Sequence, residues 1–299
     1  IGDLSTSVDP NLIKSVKESD LLLVVGARLG EMTTSGYSTI KVTQKNKVIH
    51  IYPDKKELGK VFTPIIGIKA NSNIFSSSIK NKIINNTSWA KWAEGCRKNY
   101  IIYSSPPKYL TEPDMGNIMV TLRKKMPSNS IITIDAGNFS GWPQRFWKYT
   151  LPKTQLAPTS GAMGYSIPAA VSAKIAKKNS PVIAFCGDGG FMMSSQELAT
   201  CHQYNIKPII IIINNKMLGT IRMHQEKHYP KRTISTDLVN PDFRLLCKGY
   251  HAHYENVKHS KNFSRALNRC LNSNKASVIE IEIDPKQITT RQRMEELNN

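Results

Sequence analysis

Short aliphatic runs, each cut off by a glycine or a hard polar side chain, constrain this chain more than any other feature. Leu21–Val25 stops at Gly26, Lys47–Tyr52 at Pro53-Asp54 and Ile131–Ile134 at Asp135. Residues 181–185 run into Cys186-Gly187-Asp188-Gly189-Gly190, and residues 208–213 into Asn214-Asn215. Runs this short and apolar predict strands buried on both faces. Residues 64–69 and 278–283 add two further strand candidates. Between the strands lie stretches that predict helices: 11–18 behind Asp9-Pro10, 55–60, the alanine-rich part of 161–178, and 195–204. Alternation of this kind predicts an α/β protein with two doubly wound, Rossmann-like parallel-sheet domains.

The 299 residues suffice for two domains at the usual ~100–200 residues each. The expected division is a first domain over 1–84, a linker over 85–112 broken by Ser104-Ser105-Pro106-Pro107, and a second domain over 113–299. Trp89 and Trp92 are spaced for one helical face and are expected to pack. A hydrophobic content of 40% supports a core and excludes a disordered tail. The net charge of +19 raises the possibility of a nucleic-acid partner. The basic residues are nevertheless spread out, in clusters no longer than Arg123-Lys124-Lys125, with no nucleic-acid-binding signature beside them. A solvated basic surface is therefore expected, without nucleic acid. Five cysteines, odd in number and without a CxxC pair, argue against a disulfide framework and a zinc site. The longest apolar run, 208–213 with its flanks, falls far short of the ~20 residues that span a bilayer. A cytoplasmic protein with no membrane partner is expected.

The chemistry concentrates in Gly187-Asp188-Gly189 and Asn214-Asn215, separated by residues 190–213. Each follows an apolar strand, so both are expected at the carboxyl edge of one sheet. An Asp carboxylate and an Asn amide oxygen are hard ligands that suit Mg2+, an ion that commonly shares phosphate oxygens. Gly189 and Gly190 allow close backbone approach to a polyphosphate. Gly-Asp-Gly alone is also an ordinary turn; the pairing with Asn-Asn carries the reading. By the same caution, Gly26-Ala27-Arg28 reads either as a ligand-facing loop or as a turn, and Met163 and Phe139 taken singly could be core residues.

With both segments in place, the chain resembles the thiamine-diphosphate-dependent enzymes of the acetolactate synthase type. Ser160-Gly161-Ala162-Met163-Gly164-Tyr165, followed by Ile167-Pro168-Ala169-Ala170, is similar to the segment that supports the aminopyrimidine in that family. The resemblance implies that Met163 wedges beneath the bent cofactor and that the Gly161 carbonyl faces its 4'-amino group. Gly137-Asn138-Phe139 stands where the family has a diphosphate-contacting Gly-Gln-His, two of the three residues differing. Asp188 and Asn215 match the metal ligands, with the backbone oxygen of Met217 as the third. Gly189, Gly190, Leu218 and Gly219 match the phosphate-side loops, and Gly187 is expected among the cofactor contacts. The resemblance further implies decarboxylation of a 2-oxo acid followed by ligation or release of the remaining fragment. Benzoylformate decarboxylase-like, glyoxylate carboligase-like and oxalyl-CoA decarboxylase-like chemistries stay open, as does a non-catalytic cofactor-binding paralogue.

The family's activating Glu belongs to a pyrimidine-binding domain that precedes the middle domain. The start at Ile1 is therefore read as a truncation part-way through that middle domain, and the chain alone as incomplete. The expected partner is a pyrimidine-binding domain of the full-length protein or of a second subunit, in a homodimer or homotetramer. His224 stands where acetolactate synthases carry a pocket-shaping Trp; it reads as an acid/base or carboxylate-binding group, or as a surface histidine. The same alternatives apply to His228. The family's FAD would find Arg28 suitable, but Ile51-Tyr52-Pro53-Asp54 replaces the more acidic pattern expected after that strand, so the resemblance leaves FAD open.

Overall fold

A computed structural model describes residues 1–4, 7–41, 47–82 and 88–297. The chain divides into two compact units, Ile1–Ser105 and Pro106–Asn299. The expected end of the first domain, at residue 84, lies outside the described residues.

In the first unit Asp9 caps α1 (Pro10–Glu18): its side chain accepts from the Asn11 backbone N–H at 2.9 Å, and Pro10 occupies the first turn, where no N–H is needed. Strands β1 (Leu21–Val25), β2 (Lys47–Tyr52) and β3 (Ile66–Lys69) form a parallel sheet in the order β1-β2-β3. Val24 and Val48 pack with Leu29 and Ile40 on one face, while Leu21, Leu23, Val25, Ile66 and Ile68 remain exposed. Residues 55–60, expected as a helix, form turns instead. Glu57 lies among them and binds both Arg28 and Lys60, at 2.9 and 3.0 Å. Two helices complete the unit, α2 (Ser72–Ile79) and α3 (Ala90–Tyr103). The α3 region corrects one expectation: Trp89 and Trp92 stand about half exposed rather than packed.

The second unit starts with α4 (Met115–Lys125), which is capped by Asp114 through the Asn117 N–H and ends in Arg123-Lys124-Lys125, where positive charge suits the helix dipole. Then follow β4 (Ile131–Ile134), α5 (Gly141–Phe146), the short β5 (Gln155–Leu156), α6 (Ser166–Ala176) and β6 (Val182–Gly187). The helix expected over 195–204 is α8 (Glu197–Gln203); a short helix not expected from the sequence, α7 (Asp188–Ser194), precedes it and begins on Asp188 itself. Next come β7 (Ile209–Asn214), α9 (Gly219–His228), α10 (Phe243–Gly249), β8 (His253–Val257), α11 (Ser260–Asn272) and β9 (Ser277–Glu282). All strands pair in parallel, in the order β5-β4-β6-β7-β9-β8.

Strand alternation sends side chains to two cores. Ile183, Phe185, Ile209, Ile211 and Ile213 face α4, α5 and α11, whereas Val182, Ala184, Cys186, Ile210 and Ile212 face α6, α8 and α10. Helix α11 buries Phe263, Ala266, Leu267 and Cys270, the spacing of one helical face. Phe263→Ala is expected to cost about 3–5 kcal/mol in urea denaturation. Leu271→Ala, on the exposed side of the same helix, should stay within about 0.5 kcal/mol.

Between α11 and β8, Arg269 grips Glu255 with two bonds of 2.6 Å, and His253 adds a third contact at 2.9 Å. These bonds hold the Glu255 carboxyl below its usual range, the Arg269 hydrogen bonds first among them. A carboxyl depressed by folding contributes stability above its unfolded pKa and loses it as pH falls through the folded one. Glu255→Gln is therefore expected to lower the urea midpoint at pH 7, with the two curves converging in acid; a pH-independent gap would rule out the ion pair as the cause.

Candidate functional site

Opposite departures of the chain locate a crevice in the six-stranded sheet. After β4 the chain crosses to β5 on one side, and after β6 it crosses to β7 on the other. At such a switch point the two loops diverge and leave a cleft beyond the carboxyl ends of the strands. A cavity of about 220 Å³ lies there, formed by the segments after β4, β6 and β7, by Gly161 and Met163, and by Gln287-Ile288. Every residue expected to touch the cofactor, from Gly137, Asn138 and Phe139 to Leu218 and Gly219, lines this one cavity.

Asp188 heads α7 and is 1% exposed. Burial pushes its carboxyl up, opposed chiefly by a 2.8 Å hydrogen bond donated by Asn240 Nδ2. Among the described residues no lysine or arginine forms an ion pair with it. Asn215 and Met217 follow the neighbouring strand β7, in a turn with Lys216 at φ 56°. The Lys216 N–H donates to Asn214 Oδ1 at 3.0 Å, and the Met217 N–H to Asn215 Oδ1 at 3.3 Å. Two backbone bonds, Leu218 N–H to the Thr236 carbonyl and Leu238 N–H to the Lys216 carbonyl, flank Met217 and pin the turn.

Asp135 holds the third wall. Its carboxylate is 1% exposed and accepts from the Gly164 and Ser166 backbone N–H groups at 2.9 and 2.5 Å, which fixes the loop carrying Gly161 and Met163. Burial raises this carboxyl also, against those hydrogen bonds. Asn138 turns toward α9: its N–H donates to Thr220 Oγ1 at 2.9 Å, and Thr220 Oγ1 donates to Asn138 Oδ1 at 3.1 Å. The Asn138 side chain thus ties the segment after β4 to the first turn of α9.

One ionisable side chain, Asp188, is found among the described residues that line the cavity. His224 is not in the lining; it is exposed on α9 with its ring parallel to that of His228, 6.1 Å away. Asp135, Thr220 and Asn240 escaped the sequence reading. Asp135 carried a usable signal, a carboxylate on the carboxyl end of a buried strand. Asn240 carried none, because only folding of the 236–240 segment brings it to Asp188.

The donors suit a single Mg2+. A buried carboxylate without a cationic partner favours a bound cation, and the Asn215 amide and Met217 carbonyl supply further hard oxygens. No group of three or more His, Cys, Asp or Glu gathers among the described residues.

The sequence matches two family models: residues 135–281 match the C-terminal TPP binding domain of thiamine pyrophosphate enzymes, and residues 1–78 match their central domain. The chain belongs to the thiamine pyrophosphate enzyme family. It is 30% identical to the probable acetolactate synthase large subunit of Methanocaldococcus jannaschii, over 91% of this chain and 48% of that protein. The corresponding protein of Methanococcus aeolicus is 31% identical, over 90% of this chain and 48% of its own length. Acetolactate synthase isozyme 2 large subunit of Escherichia coli K12 is 28% identical, over 90% of this chain and 49% of that protein. The chain thus spans about half the length of the curated relatives it matches. Among the described residues no helix is long and apolar enough to cross a membrane.

In this member of the thiamine pyrophosphate enzyme family two glycines of the cleft, Gly190 and Gly219, leave little room for a side chain. A Cβ on Gly190 would sit 2.3 Å from Asp135 Oδ2, and one on Gly219 would sit 2.8 Å from Asn215 Nδ2. Gly190→Ala is accordingly expected to destabilise by about 1–3 kcal/mol, despite the gain of roughly 1 kcal/mol that Ala brings to a helix interior. A thermal midpoint at or above wild type would show that Asp135 moves aside without cost.

Proposed function

We propose that this chain supplies the magnesium and diphosphate half of a thiamine diphosphate site in an enzyme of the acetolactate synthase type. In the whole protein the activity would be decarboxylation of a 2-oxo acid, followed by ligation of the remaining two-electron-richer fragment to an acceptor. The observation that carries this reading is the meeting of Asp188, Asn215 and Met217 around one cavity, from the ends of adjacent parallel strands. Membership of the family and relatives named acetolactate synthase at about 30% identity support it.

In this reading Asp188, the Asn215 amide oxygen and the Met217 carbonyl hold Mg2+. Gly189, Gly190, Leu218 and Gly219 bring backbone close to the phosphates, and Gly187, Gly137 and Asn138 line the cavity with them. Met163, held by the loop that Asp135 fixes, supports the organic part of the cofactor. Phe139, Trp142, Ile213 and Ile288 give the cavity apolar surface. The chemistry supplied when thiamine diphosphate is bound is attack on a 2-oxo carbon and uptake of the electrons released with CO2.

Proton transfer is assigned elsewhere than to this chain's half. Asp188 is committed to the metal, and His224 stands outside the cavity. A pyrimidine-binding domain, of the full-length protein or of a second subunit, would supply the remaining groups in a homodimer or homotetramer. We place the protein in a reducing cytoplasm, in keeping with five free, buried cysteines.

Titration of thiamine diphosphate into the purified protein is expected to release heat that depends on Mg2+ and disappears in EDTA and in Asp188→Ala. Equal heats in EDTA, or in the variant, would overturn the assignment of Asp188 to the metal.

A further inference from the structure

Asn240 belongs to neither strand end of the cleft, yet its amide group reaches both. One bond from Nδ2 goes to Asp188 Oδ2 at 2.8 Å, at the end of β6, and another goes to Asn214 Oδ1 at 3.0 Å, at the end of β7. A primary amide has two N–H protons, and here each is spent on a different ligand-bearing loop. Asn214 is anchored in turn: its Nδ2 donates to Glu280 Oε1 on β9 at 2.6 Å, and its Oδ1 also receives the Lys216 N–H of the turn that presents Asn215 and Met217. Tyr254 and Asn256 of β8 hold the other oxygen of Glu280. The polar chain therefore runs from the edge of the sheet to Asp188, and Asn240 is the link that crosses from one loop to the other.

We infer that Asn240 is a positioning residue that fixes the separation of the two ligand loops and so sets the size of cation the site accepts. The inference rests on the magnesium–diphosphate reading above. Mg2+ demands near-ideal octahedral geometry at about 2.0–2.1 Å, whereas Ca2+ accepts six to eight oxygens, bidentate carboxylates among them, at about 2.3–2.6 Å. With Asn240 in place, Asp188 Oδ2 is committed to a neutral donor, and the β6 and β7 loops are tied through a single side chain. Without it, Asp188 is free to turn both oxygens toward an ion and the loops are free to part. Both changes favour the larger cation.

The test compares thiamine diphosphate binding, by titration calorimetry, in Mg2+ and in Ca2+ for wild type, Asn240→Ala, Asn240→Ser and Asn256→Ala. Ser retains a single donor, which keeps the test alive if the Ala variant fails to fold. The Asn256 variant perturbs the same polar chain at its far end without touching Asp188. In the Asn240 variants the Mg2+-to-Ca2+ affinity ratio is expected to fall about 10-fold, the lower end of losses on removing an outer-shell partner. Asn256→Ala should keep the wild-type ratio. A general loss of stability would weaken binding with both ions alike and leave the ratio unchanged, and that result in folded Asn240 variants overturns the inference. Wild type that binds without any divalent ion would instead overturn the magnesium reading on which it stands.

Discussion

Burial of β6 and β7 on both faces is the constraint on which the second unit depends. Residues 209–213 are all isoleucine, and each is at most 5% exposed. Strands walled in this way have no room for a polar side chain along their length without a partner, so polar chemistry collects where the strands end. Gly187-Asp188 and Asn214-Asn215 are those ends. The sheet order then decides which ends face one another. Because the chain leaves β4 and β6 in opposite directions, the segments at 136–139 and 187–190 part and open a cleft. The same isoleucines that build the core thus place the proposed ligands at neighbouring strand ends.

The cleft is held together by neutral donors. Asp135 and Asp188 are both almost fully buried, and burial raises both carboxyls, yet among the described residues neither is matched by a cation. Asp135 is satisfied by backbone N–H groups of the Gly161–Ser166 loop, and Asp188 by Asn240 and by backbone. The two differ in what is left over. The Asp135 bonds go to one loop on both oxygens, a structural use of a carboxylate. Asp188 faces the cavity with its charge unpaired, a use that makes sense when a cation arrives with the ligand.

Much of this was legible in the sequence for a physical reason. The strand runs and the Gly-Asp-Gly and Asn-Asn breaks are local patterns, and the positions of β1, β2, β4, β6, β7 and β9 follow from them. The short β5, with two residues, and the polar β8 have no apolar run to betray them, so they became visible only in the fold. Residues 55–60 have helix-forming composition, yet they form turns in which Gly59 takes a positive φ of 79°, outside the helical region. All the expected cofactor contacts line one cavity because they occupy strand ends and the loops beside them. His224 was placed by analogy with a position on a helix rather than by a strand end, and it lies outside the cavity lining. Thr220 and Asn240 act through side-chain bonds spanning 82 and 52 residues, which no local pattern encodes.

The unmatched charge on Asp188 stands in a chain of net charge +19, where cations are abundant. An arginine beside Asp188 would have removed the cost of its burial and depressed its carboxyl, as Arg269 does for Glu255. It would also have occupied the position that a divalent ion needs and repelled that ion. A neutral amide avoids both effects. Asn240 satisfies one carboxylate oxygen, carries no charge, and uses its second proton to tie in the neighbouring loop. In the proposed reading the apoprotein buries a carboxylate without a cationic partner, and Mg2+ arriving with its phosphate ligands would relieve that cost. In that arrangement the destabilisation of the empty site and the affinity of the filled one have the same origin.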